Sequence, residues 1–288
     1  MNPPMLSRLL KLFLSAGVFL CDRLSRQWNH LLGRPVPAHC VFITYHSVTE
    51  ATHESFARQM AMLKRLARLI PSPADQRLEP GCDYVGVTFD DAFRSFAQYA
   101  LPVLARLELP VILFVPTGYL GRQSGWFDSG GANRVGEEVL SADELKQLAR
   151  QYEIEIGSHT VHHPNLVEIS QDEVRAELRD SREALEKLLG RKINSISFPY
   201  GNCGEREMKL ARETGYDFCF TALPQTLAGS IQPGLIGRVD VQPADWGIEF
   251  KLKVLGAYRW LARASAWKQK LKGRSSPAAL MKETKAHG

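Results

Sequence analysis

Two adjacent carboxylates, Asp90 and Asp91, follow a short run of alternating residues in the stretch 84–94 (YVGVTFDDAFR). Apolar residues alternate with glycine and threonine up to Phe89, which is the period of a half-buried strand. Two like charges at the end of a strand are costly unless something neutralises them. A divalent metal would do so and leave the other carboxylate free as a base. Taken alone, the pair is explained more simply as a turn in which Asp91 caps the next helix.

A second group of possible metal ligands lies in the stretch 157–166, which has three histidines within five positions. His159 and His163 are four residues apart, so in a helical turn both rings point the same way, and His162 points elsewhere. Two neutral imidazoles and one carboxylate form a common catalytic zinc set with an open position for water. A lone HxxxH pattern is weak, because histidines also serve as core or surface groups, but its combination with the Asp-Asp pair is a strong signal.

The elements that must position these residues alternate between strands and helices. Apolar runs predict strands at 40–45, 84–89, 111–115, 153–158, 193–198, 218–222 and 235–241. Between them, Ser141 with Glu144 forms a capping box, and Gly190 ends a long charged helix. This alternation indicates a parallel sheet, here a (β/α) barrel. In such a barrel the chemistry collects at the carboxyl ends of the strands. The candidate groups fall at predicted strand ends: His46, Asp90–Asp91, His159–His163 and Pro199–Gly201.

At this point the sequence resembles a known family. Thr88–Asp91 (TFDD) and His159–His163 (HTxxH) look like the first two motifs of the polysaccharide deacetylases, which share the NodB homology domain, and the resemblance covers roughly residues 40–245. It implies a distorted (β/α) barrel of about seven strands and a metal-dependent deacetylation of an N-acetylated, or sometimes O-acylated, sugar. It also implies that Asp91, His159 and His163 bind the metal, usually zinc. Asp90 would be the general base for the metal-bound water that attacks the acetyl carbonyl.

The stretch Phe198–Gly201 resembles the third motif, in which Pro199 lies and the backbone N–H of Tyr200 helps to bind the oxyanion. A simple Pro-Tyr-Gly turn is the alternative. The chain departs from the family at Ser197, where many members have an arginine that partners the base. Something else must therefore tune Asp90, or its pKa differs from theirs.

Asp245 and Trp246 look like part of the fourth motif, whose tryptophan walls the acetyl pocket. However, Gln242 stands where that motif has its first aspartate, and Arg238 and Asp240 are the alternatives just before it. An Asp-Trp pair on the surface is the other explanation. We take Pro199, Trp126, Arg238, Asp245 and Trp246 as candidate substrate-binding residues.

Two further candidates come from other parts of the chain. Members of the family often carry a late histidine that protonates the leaving amine, but after residue 163 only His287 remains, in a polar tail. His46, in a stretch that resembles the start of the biofilm-polysaccharide deacetylases, is the expected substitute, and a satisfied buried histidine is the competing interpretation. Trp126 lies in the glycine-rich stretch 118–136, which we expect to form a loop over one rim.

Composition narrows the setting of the protein. The chain is 44 % hydrophobic and 23 % charged, as in ordinary globular proteins. Its five cysteines form no CxxC pair, so a reducing compartment is expected. Residues 38–248 carry 21 basic and 28 acidic side chains, whereas the two flanks together carry 15 and 3. The basic pI of about 8.9 therefore comes from basic residues in the two flanks. It gives no reason to expect a nucleic-acid partner.

The flanks divide the chain into residues 1–37, a barrel at 38–247, and residues 248–288. Leucines and Phe13 recur at helical spacing in the first flank, whose apolar run is about half of a bilayer span and has no A-x-A-like cleavage site. In the last flank the positions on an apolar arc are Phe250, Val254, Ala257, Leu261, Ala264 and Leu271, and basic residues lie opposite. Such helices either lie on an anionic membrane or pack their apolar side on the barrel and expose their basic side to solvent.

The sequence thus predicts a metal-dependent deacetylase of an acetylated polysaccharide or lipid-linked glycan, in the cytoplasm and peripheral to the inner face of the membrane. Two alternatives remain open at this stage. One is a cytosolic metal-dependent amidohydrolase of a small non-sugar amide, and the other is a non-catalytic glycan-binding barrel.

Overall fold

Seven parallel strands close into a barrel in the computed structural model, which describes residues 5–74, 77–126, 136–229 and 231–271. The strands are β1 His39–Tyr45, β2 Arg68–Leu69, β3 Asp83–Phe89, β4 Val111–Val115, β5 Ile154–Ser158, β6 Ser195–Ser197, β7 Phe218–Thr221 and β8 Gly234–Asp240. Each of β3 to β8 pairs with the next, and β1 pairs with both β8 and β3. The predicted distorted (β/α) barrel is confirmed. The sequence did not predict β2, which pairs with β3.

Helices surround the barrel and connect its strands. They are α1 Met5–Leu31, α2 His53–Leu66, α3 Leu101–Arg106, α4 Ala142–Gln151, α5 Gln171–Leu189, α6 Glu205–Thr214, α7 Gly247–Val254 and α8 Trp260–Leu271. The predicted capping box is present at α4, where Ser141 and Glu144 bond each other's backbone N–H. Gly190 ends α5 in the left-handed conformation, as its position predicted.

The strands are buried on both faces, which is why they read as nearly continuous apolar runs. One face lines the barrel interior, where Phe220 packs against Phe42 and Phe114 with ring centroids 5.3 and 5.1 Å away. Gly86 and Gly157 make room for these rings, because a Cβ at either position would overlap Phe42 or Phe114. The other face packs under the helices and forms the larger apolar core. Packing of these rings in the interior sets the positions of the strands, and therefore of their carboxyl ends.

The C-terminal helices pack on the barrel. Phe250, Val254 and Ala257 are buried, and Leu261 is half-buried against the core. Up to Leu261, the apolar arc therefore packs on the barrel, which is one of the two interpretations given above. The side chain of Leu271 lies outside the described residues. Across the described ranges, no helix has the length and apolar character needed to cross a membrane. The five cysteines are free thiols.

Candidate active site

The predicted site residues lie at the carboxyl ends of the strands. Asp90 follows the last residue of β3, His159 follows β5, and His46 follows β1. The short β6 ends at Ser197, two residues before the turn that begins with Pro199. Because neighbouring parallel strands end at the same rim, these groups meet although they are far apart in the chain.

Asp91, His159 and His163 form a buried cluster whose possible ligand atoms all lie within 4.8 Å of one another. Asp91 Oδ1 lies 3.6 Å from His159 Nε2 and 3.5 Å from His163 Nε2. The two imidazole rings are 4.7 Å apart and nearly perpendicular. Two imidazole nitrogens and one carboxylate oxygen therefore converge on one point.

The histidines are in the state that a metal requires. His159 Nδ1 donates a hydrogen bond to the carbonyl oxygen of Ser197, 2.7 Å away, which leaves the lone pair on Nε2 facing the cluster. Burial lowers the pKa of His159. Burial, followed by the charge of His159, lowers the pKa of His163 to about 2. Both rings are thus neutral near pH 7, and neutral imidazole is the ligand form.

One oxygen of the Asp91 carboxylate lacks a hydrogen-bond partner among the described residues. This atom is Oδ1, which is buried. The pKa of Asp91 is raised to about 7, mainly by burial; the charge of His46 opposes this increase, and the charges of Asp90 and Glu137 add to it. A buried charge of this kind is stabilised by pairing or by a metal. The donor set and the orphaned oxygen together fit a divalent cation.

Asp90 has a different environment from its neighbour. Arg238, on β8, donates from its two terminal nitrogens to the two carboxylate oxygens, each at 2.7 Å. Ser197 Oγ also bonds to Asp90, at 3.3 Å, and accepts a bond from Arg238 at 2.7 Å. Burial alone would raise the pKa of Asp90, but the Arg238 guanidinium holds it well below its usual range. Asp90 therefore stays ionised beside the cluster.

This arrangement corrects the prediction that Arg238 binds substrate. The side chain is 1 % exposed, and the guanidinium lies near the rings of Phe114 and Phe220 inside the barrel. With both terminal nitrogens engaged by Asp90, it has no surface to offer a ligand. Arg238 instead takes the place of the arginine that many family members have at the position of Ser197. It partners Asp90 from another strand, β8. The small Ser197 side chain leaves room for it.

The backbone is strained around the cluster. Among the described residues, six non-glycine residues have positive φ, and all but Glu108 lie at this rim: Asp91, Ala92, Thr160, His163 and Tyr200. A β-branched residue such as Thr160 at φ 67° is a genuine outlier. Strain of this kind persists only where the surrounding structure enforces it, and it concentrates at functional sites.

Two aromatic side chains flank the histidine cluster. The indole of Trp126 stacks on His163 with ring centroids 4.2 Å apart, and Tyr119 meets the same indole edge-on at 4.8 Å. Tyr200 lies on another side of His163 at 5.0 Å and is half exposed. Trp126 thus lies against one of the candidate metal ligands, in a position from which it could contact a bound substrate. Residues 127–135 of the predicted rim loop lie outside the described residues.

His46 lies at the same rim, close to an acidic side chain. Its Nδ1 is 3.9 Å from Asp240 Oδ1, at the end of β8, and its side chain is 43 % exposed. After burial, the charge of His46 is the largest influence on the pKa of Asp91. The half-exposed imidazole is open to solvent and to a ligand bound at this rim. The competing interpretation, a satisfied buried histidine, does not fit this exposure.

Asp245 and Trp246 do not join the site, which corrects their prediction as substrate-binding residues. Asp245 Oδ2 pairs with Lys253 Nζ at 2.7 Å. The guanidinium of Arg8, from α1, lies 4.2 Å from the centroid of the Trp246 ring. These groups join the outer helices to the barrel. Sequence reasoning also gave no role to Glu137, which accepts a bond from Ser95 Oγ at 2.7 Å beside the rim.

Comparison with known proteins shows which family the chain resembles. The family model for polysaccharide deacetylases matches residues 77–219, a stretch that contains Asp90 and the cluster of Asp91, His159 and His163 but neither His46 nor Arg238. The YxkH protein of Bacillus subtilis (strain 168), by name a polysaccharide deacetylase, is 26 % identical over 233 residues, covering 77 % of this chain and 76 % of that protein. The chain is therefore similar to the polysaccharide deacetylase family over just under half of its length. The resemblance seen in its motifs, and the class of enzyme predicted from it, are confirmed.

Two other proteins are similar over different extents. The poly-beta-1,6-N-acetyl-D-glucosamine N-deacetylase of Staphylococcus aureus (strain MSSA476) is 23 % identical over 145 residues, which are 48 % of this chain and 47 % of that protein. The solved structure of the Streptococcus pyogenes deacetylase PplD in complex with acetate superposes with a TM-score of 0.61 at 20 % identity. It covers 76 % of this chain and 99 % of its own, and it supports the fold.

Proposed function

We propose that the protein is a metal-dependent hydrolase that removes N-acetyl or O-acyl groups from a carbohydrate, either a polysaccharide or a lipid-linked glycan intermediate. The observation that carries this proposal is the contrast between two adjacent carboxylates. Asp91 has a bare oxygen facing two neutral imidazoles, whereas Asp90 is clamped in its ionised form by Arg238. Hydrolysis of an amide needs both of these, a place for an electrophilic ion and an ionised base beside it.

Asp91, His159 and His163 would hold the metal. Two imidazoles and one carboxylate are a set that Zn²⁺ takes at catalytic sites with an open position, so zinc is the ion that we propose. When bound, such an ion supplies Lewis-acid polarisation of the acyl carbonyl and makes hydroxide available near neutral pH.

The other side chains have roles that follow from their positions. Asp90 accepts the proton of the attacking water and orients its lone pair, since Arg238 fixes both carboxylate oxygens in place. The backbone N–H of Tyr200 donates to the oxygen that becomes negatively charged, a contribution typically worth about 3–4 kcal/mol. Trp126 excludes water from one side of His163.

His46 donates a proton to the leaving amine. Its imidazole is half exposed at the catalytic rim, with Nδ1 3.9 Å from Asp240 Oδ1, where a leaving group could reach it. The late histidine that many family members use for this step has no counterpart among the described residues, and His287 lies outside them. The proton donor therefore comes from the first strand of the barrel.

Acetate release tests the function. Purified protein would be assayed on a panel of acetylated glycans that begins with β-1,6-linked N-acetylglucosamine oligomers, because a similar protein is named for that polymer. We expect acetate from at least one glycan and a loss of about 10²–10⁴-fold in Asp90→Asn. Release from small amides or ureides alone would support the amidohydrolase alternative. Glycan binding without acetate release, equal in both proteins, would indicate a non-catalytic barrel and contradict the proposal.

A further inference from the structure

Helix α1 has its polar side against the barrel and its apolar side in water. On the inner side, Arg8 bonds Glu249 at 2.6 Å, and Arg26 lies 2.8 Å from Asp83. The indole N–H of Trp260 donates to the buried Ser15 Oγ at 2.9 Å. A helix that docks on a globular domain normally turns its apolar stripe inward. Here that arrangement is reversed along most of the helix, although Leu12, Val18 and Phe19 make partly buried contacts with the core.

The outer side of α1 is a continuous apolar stripe. Its members are between 42 % and 80 % exposed: Leu6, Leu9, Leu10, Phe13, Leu14, Leu20, Leu24, Trp28 and Leu31. At 100° per residue these positions fall on one side of the helix. Isolated exposed leucines are ordinary, but a contiguous stripe of this length marks an interaction surface. We name these nine residues the α1 stripe.

We propose that the α1 stripe is a membrane-binding surface that lies in the plane of an anionic lipid bilayer, with the barrel held above it. A helix with one apolar side and basic residues along its polar side is the form that inserts at the lipid–water interface. The polar side here is already docked on the barrel, so the stripe is the part left for the acyl chains.

Charge favours lipid over a second protein surface. Residues 5–34 contain five basic side chains and a single acidic one, Asp22, which is held by Arg259 at 2.6 Å. Lys11, Arg23 and Arg34 have no ion-pair partner in the described part of the chain. An anionic headgroup layer would meet these cations beside an apolar stripe that contains no acid. Each such cation near an anionic bilayer adds to binding and makes it sensitive to salt.

The contacts of α1 also give the orientation of the barrel. Arg8 reaches the segment just after β8, at the catalytic rim, through the backbone oxygen of Ala244 and through Glu249. Arg26 reaches Asp83, the first residue of β3, at the opposite rim. The segment between the two arginines is about 27 Å long and spans the height of the barrel. Helix α1 therefore runs alongside the strands, in the direction opposite to theirs.

With the α1 stripe on a bilayer, the barrel axis lies along the surface and the catalytic rim opens sideways over the headgroups. This step rests on the proposed function. It selects, as substrate class, acylated glycans held at the membrane, such as glycans on a lipid carrier. Free oligosaccharides from solution would reach the same rim without any help from the stripe.

Vesicle flotation with the full-length chain tests the proposal independently of catalysis. The vesicles would be phosphatidylcholine, with or without phosphatidylglycerol. The variant Leu6→Gln/Phe13→Gln/Leu31→Gln replaces the most exposed members of the stripe by a residue of similar helix propensity. The matched control is Tyr152→Gln/Val167→Gln, which removes exposed apolar side chains from other faces of the barrel.

We expect wild type and control to float with phosphatidylglycerol vesicles, and salt to reduce this binding. The stripe variant should lose binding by about tenfold or more, since affinity scales with the buried apolar area. Failure of the wild type to bind, or equal binding by the stripe variant, would overturn the proposal, as would a concentration-dependent dimer that needs the stripe and excludes vesicles. Acetate release from a soluble glycan should be the same in wild type and stripe variant, so a failure of the membrane surface is distinguishable from a failure of the proposed function.

Discussion

The catalytic rim and the α1 stripe both leave groups without partners, but the groups are of opposite kinds. At the rim the unpaired atom beside the histidine pair is polar and buried: Asp91 Oδ1 has no hydrogen bond to any described residue. On the α1 stripe the side chains without partners are apolar and exposed, while Arg8 and Asp22 on the docked side of the helix are bonded to Glu249 and Arg259. The difference indicates the kind of partner each region takes. Buried polar atoms without partners suit an ion, and exposed apolar groups without partners suit lipid.

The largest effect should come from removing the bare carboxylate at the rim. Asp91→Asn replaces a charged ligand by a neutral amide that binds a divalent cation poorly. We expect acetate release to fall about a thousandfold, since a catalytic metal supplies several kcal/mol of transition-state stabilisation. Measured in EDTA, the variant should unfold at the same urea concentration as wild type or a higher one, because a buried unpaired charge has been removed. If the variant keeps most of its activity, Asp91 does not hold a catalytic metal.

Arg238→Met should have the next largest effect, this time on stability. It leaves Asp90 buried without its partner, which should lower the free energy of unfolding by about 3–5 kcal/mol in urea titrations. The double variant Asp90→Asn/Arg238→Met removes both charges and should recover much of that loss. If the two single losses simply add in the double variant, Asp90 and Arg238 do not act as a pair.

The proton donor sharpens the assignment of the rim. His46→Gln should lower acetate release from a glycan amide by about a hundredfold. It should leave hydrolysis of p-nitrophenyl acetate within about threefold, because p-nitrophenolate leaves without a proton. His162→Gln is the matched control, since that exposed histidine pairs with Glu177 outside the cluster. Equal losses on both substrates would assign His46 to binding or structure.

The smallest effect is expected where α1 meets the barrel through partly exposed ion pairs. Arg259→Met removes the partner of Asp22 and should cost about 0–1 kcal/mol in the free energy of unfolding. Vesicle flotation should be unchanged, because the α1 stripe is untouched. A large loss of flotation in this variant would show that the docked side, rather than the stripe, controls membrane binding.

Sequence patterns predicted the parts of the fold that depend on local periodicity. Strands buried on both faces give apolar runs, so seven strands and the residues that follow them could be located. The Asp-His-His cluster followed from two motifs that each end a strand. The two-residue β2 carries no periodicity and was missed.

The rest depended on contacts between distant segments. Arg238 partners Asp90 across about 150 residues, and nothing local distinguishes it from an arginine that binds substrate. Asp245 and Trp246 matched part of a motif, but Asp245 pairs with Lys253 of α7, and Trp246 contacts Arg8 of α1. The spacing of Leu6 to Leu14 predicted an amphipathic helix and not which of its sides would face the barrel. Register, closure of the barrel and helix docking decide such questions.

Metal stoichiometry tests the central claim most directly. Wild type would be stripped with EDTA, titrated with Zn²⁺, and assayed for bound metal and for acetate release at each point, beside His163→Ala. If Asp91, His159 and His163 hold one ion, one equivalent of metal per chain binds wild type and restores acetate release, whereas the variant binds little metal and stays inactive. Full activity of the stripped protein, or equal metal binding by His163→Ala, would contradict this assignment.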